Sequence, residues 1–344
     1  MPTIRRHAGS LSDQYAGANA LCVYALLQCG QAINDERLNV RSKQMKAMIA
    51  AMRDMSVPSA YETYTRGIRA TALAVYNRPD DRAALREDVG WLIQNSRHGA
   101  YHYSDRGTRI GSWDNSNSQY GLLGVWSGAE VGAEVPQSYW MSVQNHWYEC
   151  QYPDGDWGYQ SPSGDQGTLS MSVAGIASLF VTHDYLDAPL VGGSVGREPF
   201  GKPLARGLAW LESGDNCLRQ AWGGYTLYGI ERVGLASGFK YFGQHDWYRR
   251  LAAQLIRTQR PNGSWGGGSF TTRHDLVETA YSLLFLARGR HPILMNKVRF
   301  DGYWANRPRD VANLTRFASR ELERPLNWQV VPLHRDWTDW ADSP

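Results

Sequence analysis

The chain has 344 residues, of which 42% are hydrophobic and 20% are charged, and its formal net charge is +3. This composition is typical of a globular protein and excludes a disordered or fibrous chain. The small net charge argues against a nucleic-acid partner, and no apolar run reaches the ~20 residues of a transmembrane segment. No apolar stretch follows Arg5 and Arg6, so no secretory signal is visible. Compartment and oligomeric state are left open.

Helical segments of a first kind recur along the chain. They are rich in small and apolar residues on nearly all sides, which is typical of helices that are packed on every face. These inner helices are predicted over 14–30, 61–76, 114–132, 168–183, 225–234 and 275–289. Gly30, Gly132, Gly234 and Gly289 are expected to cap the C-termini of four of them.

Helices of a second kind alternate with the first. They carry apolar residues three or four positions apart and charges on the opposite face. These outer helices are predicted over 38–55, 81–94, 138–151, 204–213, 247–259 and 308–323. The alternation has a period of about 50 residues and predicts an all-α fold, an α6/α6 toroid with an inner and an outer ring. We expect one toroid domain over 1–323, with 324–344 as a C-terminal extension that leads towards a further domain.

Two loops of the repeat share the pattern Q-x-x-x-G-x-W. Its residues are Gln151, Gly155 and Trp157 in one copy, and Gln259, Gly263 and Trp265 in the other. The glutamine is expected to end an outer helix and bond the exposed end of a neighbouring helix. The glycine permits a tight turn and the tryptophan covers the next inner helix, so the predicted role is structural.

These loops and the apolar helices resemble the QW repeats of squalene-hopene cyclases, in the terpenoid cyclase and protein prenyltransferase toroid superfamily. The resemblance covers about residues 14–323. It is closest to uncharacterised bacterial prenyltransferase or squalene-oxidase repeat proteins, through the phrases at 113–120, 243–248 and 294–297. It implies a central cavity and, for an enzyme, a terpenoid cyclase or prenyltransferase, that is, a transferase or isomerase.

The acid motif of that superfamily is incomplete in this chain. Class II cyclases carry D-x-D-D at the start of an inner helix, and the matching residues 114–117 read D-N-S-N. Only one of the three expected carboxylates is present, so the cyclase motif is missing. A strong general acid also needs supporting groups, which this segment lacks. The four cysteines lack metal-site spacing, and no metal or cofactor is predicted. The leading hypothesis is therefore that the central cavity binds an isoprenoid-like ligand, another lipid or a partner.

The N-termini of the inner helices are expected to gather at one mouth. Helix dipoles favour carboxylates and bound anions there. The catalytic candidates are Asp114, Asp275 and Glu278. The candidate ligand-binding residues are Trp113, Asn115, Ser116, Tyr120, Trp222, Tyr225 and His274. Helix capping also explains Asp114, Ser116 and Asp275.

Two alternatives stay open. The first is a carbohydrate-active α6/α6 hydrolase or lyase, in which Asp114 and Glu278 act as acid and base on a glycan. Its aromatic residues would stack on sugar rings. The second is a non-catalytic interaction scaffold whose mouth is filled by side chains.

Overall fold

The structure, a computed structural model, describes residues 14–103, 113–160, 166–191, 200–221, 223–266, 275–336, 338 and 340. All twelve predicted helices are present. The chain forms two compact units, the first made of residues 1–150 and 158–166 and the second of 151–157 and 167–344. No described helix is both long and apolar enough to cross a bilayer.

The first unit contains three helical hairpins. Its helices are α1 (Gln14–Ala32), α2 (Lys43–Arg53), α3 (Glu62–Ala74), α4 (Arg82–Asn95), α5 (Asn115–Glu130) and α6 (Gln137–Glu149). The inner helix α3 packs against both α1 and α5. A Cβ added at Gly124 would lie 2.8 Å from the Cα of Gly67, so glycine at this crossing sets how closely α3 and α5 approach.

The second unit contains three more hairpins. Its helices are α7 (Leu169–Leu186), α8 (Ala188–Val191), α9 (Lys202–Glu212), α10 (Gly224–Ser237), α11 (Trp247–Thr258), α12 (Asp275–Arg288) and α13 (Asp310–Glu321). The inner helix α10 packs against both α7 and α12.

The second unit also contains two small sheets that the sequence does not predict. Strands β1 (Tyr241–Phe242) and β2 (His245–Asp246) form an antiparallel pair, and β3 (Ile293–Arg299) and β4 (Asn327–Pro332) form a parallel pair. Lys297 lies opposite Val330, and Val298 lies opposite Val331. Helix α13 connects β3 to β4, so their pairing depends on a long crossover that local periodicity does not reveal.

The predicted glycine caps are wrong at most positions. Of the four, only Gly132 has a positive φ, at 99°. Helix α10 continues past Gly234 and ends at Gly238, whose φ is 71°. A Cβ at Gly234 would clash with the ring of Trp247. Gly234 is therefore required for close packing and does not end the helix.

Candidate functional site

Asp114 is a buried carboxylate at the start of α5. It is the N-cap residue of that helix and is 5% exposed. Its Oδ1 accepts hydrogen bonds from the Asn117 backbone N–H at 2.9 Å, from Asn117 Nδ2 at 3.0 Å and from the Ser116 hydroxyl. The carboxylate therefore both caps the helix and is held in one orientation by neutral donors.

A cluster of tyrosines surrounds Ser116 in the first unit. The Tyr64 and Tyr103 phenols both lie close to the Ser116 hydroxyl. Tyr64 on α3 lies 4.9 Å from the ring of Tyr120 on α5, and 6.0 Å from that of Tyr103. Burial, and next the charge of Asp114, raise the pKa of both Tyr64 and Tyr103. These phenols stay protonated at neutral pH and present O–H groups beside the carboxylate.

Asn115 is occupied by contacts within the first unit. The residue is fully buried. Its Nδ2 donates to the carbonyl of Gly158 at 2.9 Å, and its backbone N–H donates to the carbonyl of Tyr159 at 2.9 Å. These bonds tie the segment at 158–159 to the start of α5, so the ligand-binding role of Asn115 stays a prediction.

His146 and Cys150 complete the surroundings of Asn115. The Nε2 of His146 lies 2.8 Å from Asn115 Oδ1 and 3.9 Å from Cys150 Sγ, and the ring of Trp113 stands edge-on to the imidazole at 4.7 Å. Burial lowers the pKa of His146 to about 4 and raises the pKa of the Cys150 thiol to about 12. A neutral thiol beside a neutral imidazole is not an activated nucleophile, and the ligand-binding role of Trp113 stays a prediction.

Glu278 is a buried carboxyl group near the N-terminus of an inner helix in the second unit. It lies in the first turn of α12 and is 3% exposed. Its Oε1 accepts a hydrogen bond of 2.5 Å from the backbone N–H of Gly224, the first residue of α10. Its Oε2 is buried and has no hydrogen-bond partner among the residues that the structure describes.

Tyrosines also accompany Glu278. The ring of Tyr281 lies 5.9 Å from that of Tyr225 and 5.6 Å from that of Tyr228. A Cβ added at Gly224 would lie 2.7 Å from the Cβ of Tyr281. A glycine at the start of α10 therefore allows its backbone to reach the glutamate.

The remaining predicted site residues are placed differently. Asp275 is exposed and forms an ion pair with Arg260, with 2.5 Å between Oδ2 and Nη1. The catalytic role of Asp275 stays a prediction. Trp222 and His274 lie outside the described residues. No group of three metal-ligating side chains is found in the described part of the chain.

The first Q-x-x-x-G-x-W loop is tied to the outer helix α9. Gln151 Nε2 donates to the carbonyls of Gly155, at 3.0 Å, and of Pro203, at 2.9 Å, and Arg206 donates to Gln151 Oε1 at 2.6 Å. Gly155 has a φ of 105°. Trp157 is fully buried, and a Cβ at Gly175 on α7 would lie 2.6 Å from its ring.

In the second loop, the glutamine makes fewer hydrogen bonds to described residues than Gln151 does. Gln259 is exposed and donates to the carbonyl of Gly263 at 3.0 Å, within its own turn. Gly263 has a φ of 82°. Trp265 is 5% exposed and its indole N–H donates to the carbonyl of Leu255 at 2.8 Å.

Asp156 is a buried carboxyl group that the sequence analysis missed. It is 7% exposed and lies between the glycine and the tryptophan of the first loop. Burial, and next its hydrogen bond to the Asp154 carboxyl, raise the pKa of Asp156 to about 7. Its carboxyl group occupies the space that a Cβ at Gly167 would need. The only signal in the sequence is that the same position is Ser264 in the second copy.

Comparison with known proteins gives structural neighbours only. No family model and no curated protein sequence matches this chain. A solved GH76A α-1,6-mannanase from Salegentibacter sp. HEL1_6 matches with a TM-score of 0.56 and 8% identity, over 79% of this chain and 88% of that chain. An inactive variant of that mannanase, with two consecutive aspartates replaced by asparagine and in complex with α-1,6-mannotriose, matches with a TM-score of 0.53 and 9% identity over the same shares.

These neighbours overturn the predicted superfamily. They are α/α toroids, as the helical pattern predicted, but they are glycoside hydrolases and not terpenoid cyclases. The terpenoid cyclase and prenyltransferase assignment is therefore wrong, and the activity and the isoprenoid ligand inferred from it have no support in these neighbours. The Q-x-x-x-G-x-W pattern misled because a helical hairpin needs a turn and an aromatic cover whatever its chemistry. At 8% identity the likeness shows the fold, and the fold is that of an α/α toroid.

Proposed function

We propose that this protein is a carbohydrate-active enzyme, a glycoside hydrolase in which the side chain of Asp114 acts on the substrate. The observation that carries the proposal is the environment of Asp114. The group is buried, lies at a helix N-terminus and receives three hydrogen bonds on Oδ1. Oδ2 is then the oxygen proposed to face the substrate. A fixed carboxylate of this kind stabilises the positive charge that develops on a sugar ring during hydrolysis.

The tyrosines beside Asp114 support a hydroxylated ligand. Tyr64, Tyr103 and Tyr120 supply ring faces together with phenolic O–H groups. Sugars present C–H faces that pack on such rings, and hydroxyls that exchange hydrogen bonds with phenols and carboxylates.

The mannanase neighbour points to the reaction class and not to the same residues. Its inactive variant has two consecutive aspartates replaced. In this chain the only consecutive aspartates are Asp80 and Asp81. Asp81 is paired with Arg78 at 2.6 Å and Arg53 at 3.6 Å, contacts that serve the turn before α4. Asp114 is followed by Asn115, so the proposal names a glycan substrate without fixing its linkage.

The proposal is tested with a panel of polysaccharides that includes α-1,6-mannan, by following the release of reducing ends. Asp114→Asn removes the charge and keeps a good helix N-cap. We expect its kcat to fall by at least about 100-fold. The matched control is Asp35→Asn, which alters an exposed pair with Arg37 and should leave the rate unchanged. Full activity in Asp114→Asn, or no binding and no cleavage of any glycan in the panel, would refute the proposal.

Glu278 is the second carboxyl group to test in the same assay. Glu278→Gln keeps an acceptor for the Gly224 N–H and removes the acidic function. If Glu278 serves as a proton donor or acceptor, we expect a loss of about 100-fold or more in kcat with the melting temperature preserved. An unchanged rate would assign Glu278 to the packing of α10 and α12 only.

A further inference from the structure

The second Q-x-x-x-G-x-W loop contains an Asn-Gly pair, the only one in the chain. Asn262 and Gly263 are both exposed to solvent, and Gly263 has a φ of 82°. A Cβ added at Gly263 would meet no other atom within 4 Å. The asparagine amide and the peptide bond that follows it are therefore open to water.

Ser264 supplies two hydrogen bonds to the side-chain amide of Asn262. Its backbone N–H donates to Asn262 Oδ1 at 3.1 Å, and its hydroxyl donates to the same oxygen at 2.8 Å. Donors in this position stabilise negative charge that develops on the oxygen. The bond to the backbone N–H also makes an Asx turn, which folds the amide carbon back over the nitrogen of the intervening Gly263.

One hydrogen bond of the turn opposes a reaction at that nitrogen. The Gly263 N–H donates to the carbonyl of Arg260 at 2.8 Å, so the nitrogen reacts only when this bond opens. Both residues are exposed, and water can replace a bond at an exposed turn at little cost. Because glycine has no Cβ, its nitrogen can then approach the amide carbon closely.

We propose that Asn262 is a site of spontaneous deamidation in the folded protein, assisted by Ser264. The Gly263 nitrogen loses its proton to hydroxide and bonds to Asn262 Cγ, while negative charge moves to Oδ1. The bond between Cγ and Nδ2 then breaks, and the nitrogen leaves as ammonia after taking a proton from water. A water molecule opens the resulting cyclic imide at either carbonyl, which leaves aspartate or isoaspartate at position 262.

The modification would occur close to the start of α12. Trp265 follows the turn, and its backbone N–H donates to Thr279 Oγ1 at 3.0 Å, next to Glu278 in the chain. Isoaspartate lengthens the main chain of the turn by a methylene group. Either product adds a negative charge near Arg260, which pairs with Asp275. The reaction does not depend on the proposed glycoside hydrolase activity.

Asn39 provides a matched control within the same chain. It is also exposed, and its Oδ1 accepts a hydrogen bond of 2.8 Å from the backbone N–H of Arg41. The next residue is Val40, whose branched side chain hinders attack by its own backbone nitrogen. The two asparagines therefore share exposure and an Asx-type bond but differ in the residue that must react.

Peptide mass spectrometry of the folded full chain, aged in heavy-oxygen water at mildly alkaline pH, tests the proposal. Each deamidation takes up an oxygen atom from the solvent, so conversion during ageing is separated from conversion before it. We expect Asn262 to convert at least about tenfold faster than Asn39. Both aspartate and isoaspartate should appear at position 262.

Ser264→Ala separates the effect of the fold from that of the sequence. It removes the hydroxyl donor and keeps the backbone N–H, and its melting temperature shows whether the variant is folded. Conversion of Asn262 in the folded variant should be slower by roughly threefold or more. In urea, where the turn is not formed, the variant and the unaltered chain should convert at the same rate.

Three results would overturn the proposal. They are conversion of Asn262 no faster than that of Asn39, an unchanged rate in folded Ser264→Ala, and an equal slowing by that substitution in urea. The measurement uses no glycan, so its failure is distinct from a failure of the proposed hydrolase activity.

Discussion

Buried carboxyl groups in this protein differ in what neutralises them. Asp88 has no exposed surface and is held by Arg69, with both nitrogen–oxygen distances at 2.7 Å. Such a paired charge is expected to serve the structure. Among the described residues, no ion pair with arginine or lysine is found for the buried carboxyl groups of Asp114, Asp156 and Glu278, whereas Glu231 lies 3.4 Å from Arg288. Buried groups without full compensation are the better functional candidates.

Asp156 gives a prediction for the pH dependence of stability. Its folded-state pKa is about 7, whereas an aspartate in an unfolded chain has a pKa of about 3.9. Between these values the folded state binds more protons, so the free energy of unfolding falls as pH rises from about 4 to about 7. In Asp156→Asn this fall should be largely absent. Urea unfolding at several pH values measures it.

Asp154→Asn is the control for that prediction. It removes the neighbouring carboxyl that raises the pKa of Asp156. The decline in stability should then end at a lower pH. An Asp156→Asn profile parallel to that of the unaltered protein would contradict the assignment.

At the scale of elements, the two Q-x-x-x-G-x-W loops share a pattern but differ in their contacts. Gln151 bonds its own turn, α9 and Arg206, whereas the only hydrogen bond described for Gln259 is within its own turn. Trp157 is packed against Gly175 and Gly207, where a Cβ would lie within 3.0 Å of its ring. The pattern predicts the turn, but the contribution of each loop to the free energy of unfolding depends on its contacts with the adjacent helices.

The two glutamines provide a matched pair of variants. Gln151→Ala should lower the free energy of unfolding by about 1–2 kcal/mol, because it leaves the Pro203 carbonyl without this donor. Gln259→Ala should change it by less than about 0.5 kcal/mol, as expected for an exposed side chain. Urea unfolding compares the two. Equal losses would show that the loops contribute alike.

At the scale of the whole molecule, strand β4 belongs to the core of the second unit. Val330 is 2% exposed and Val331 has no exposed surface. Phe239, just after α10, forms a parallel bridge with Val330. The segment after the last predicted helix is therefore part of the packing that supports α10.

Val331→Ala tests that contribution. Removing two buried methyl groups should lower the free energy of unfolding by about 2 kcal/mol. Leu333→Ala is the control, because Leu333 is 57% exposed and its truncation should change stability by less than about 0.5 kcal/mol. A similar loss of stability in both variants would show that burial of Val331 is not what β4 contributes to stability.

The sequence by itself determined the helices. Inner and outer helices differ in local periodicity, and the twelve predicted segments match α1 to α7 and α9 to α13. The apolar residues on the buried face of a helix recur every three or four positions, so the helices can be predicted from residues close together in the sequence. Asp114 and Glu278 could be named as candidates from the sequence for the same reason, because each lies near the start of a predicted helix.

Only the tertiary structure decided which groups are neutralised and by what. Burial and the neighbouring Asp154 raise the pKa of Asp156, and the ion pair between Glu231 and Arg288 joins α10 to α12. The β3–β4 pairing joins segments far apart in the chain. The repeat pattern could not predict the reaction either, because the turns and tryptophans of a toroid are required for packing and not for catalysis. The proposed chemistry rests instead on buried carboxyl groups that have no arginine or lysine partner among the described residues.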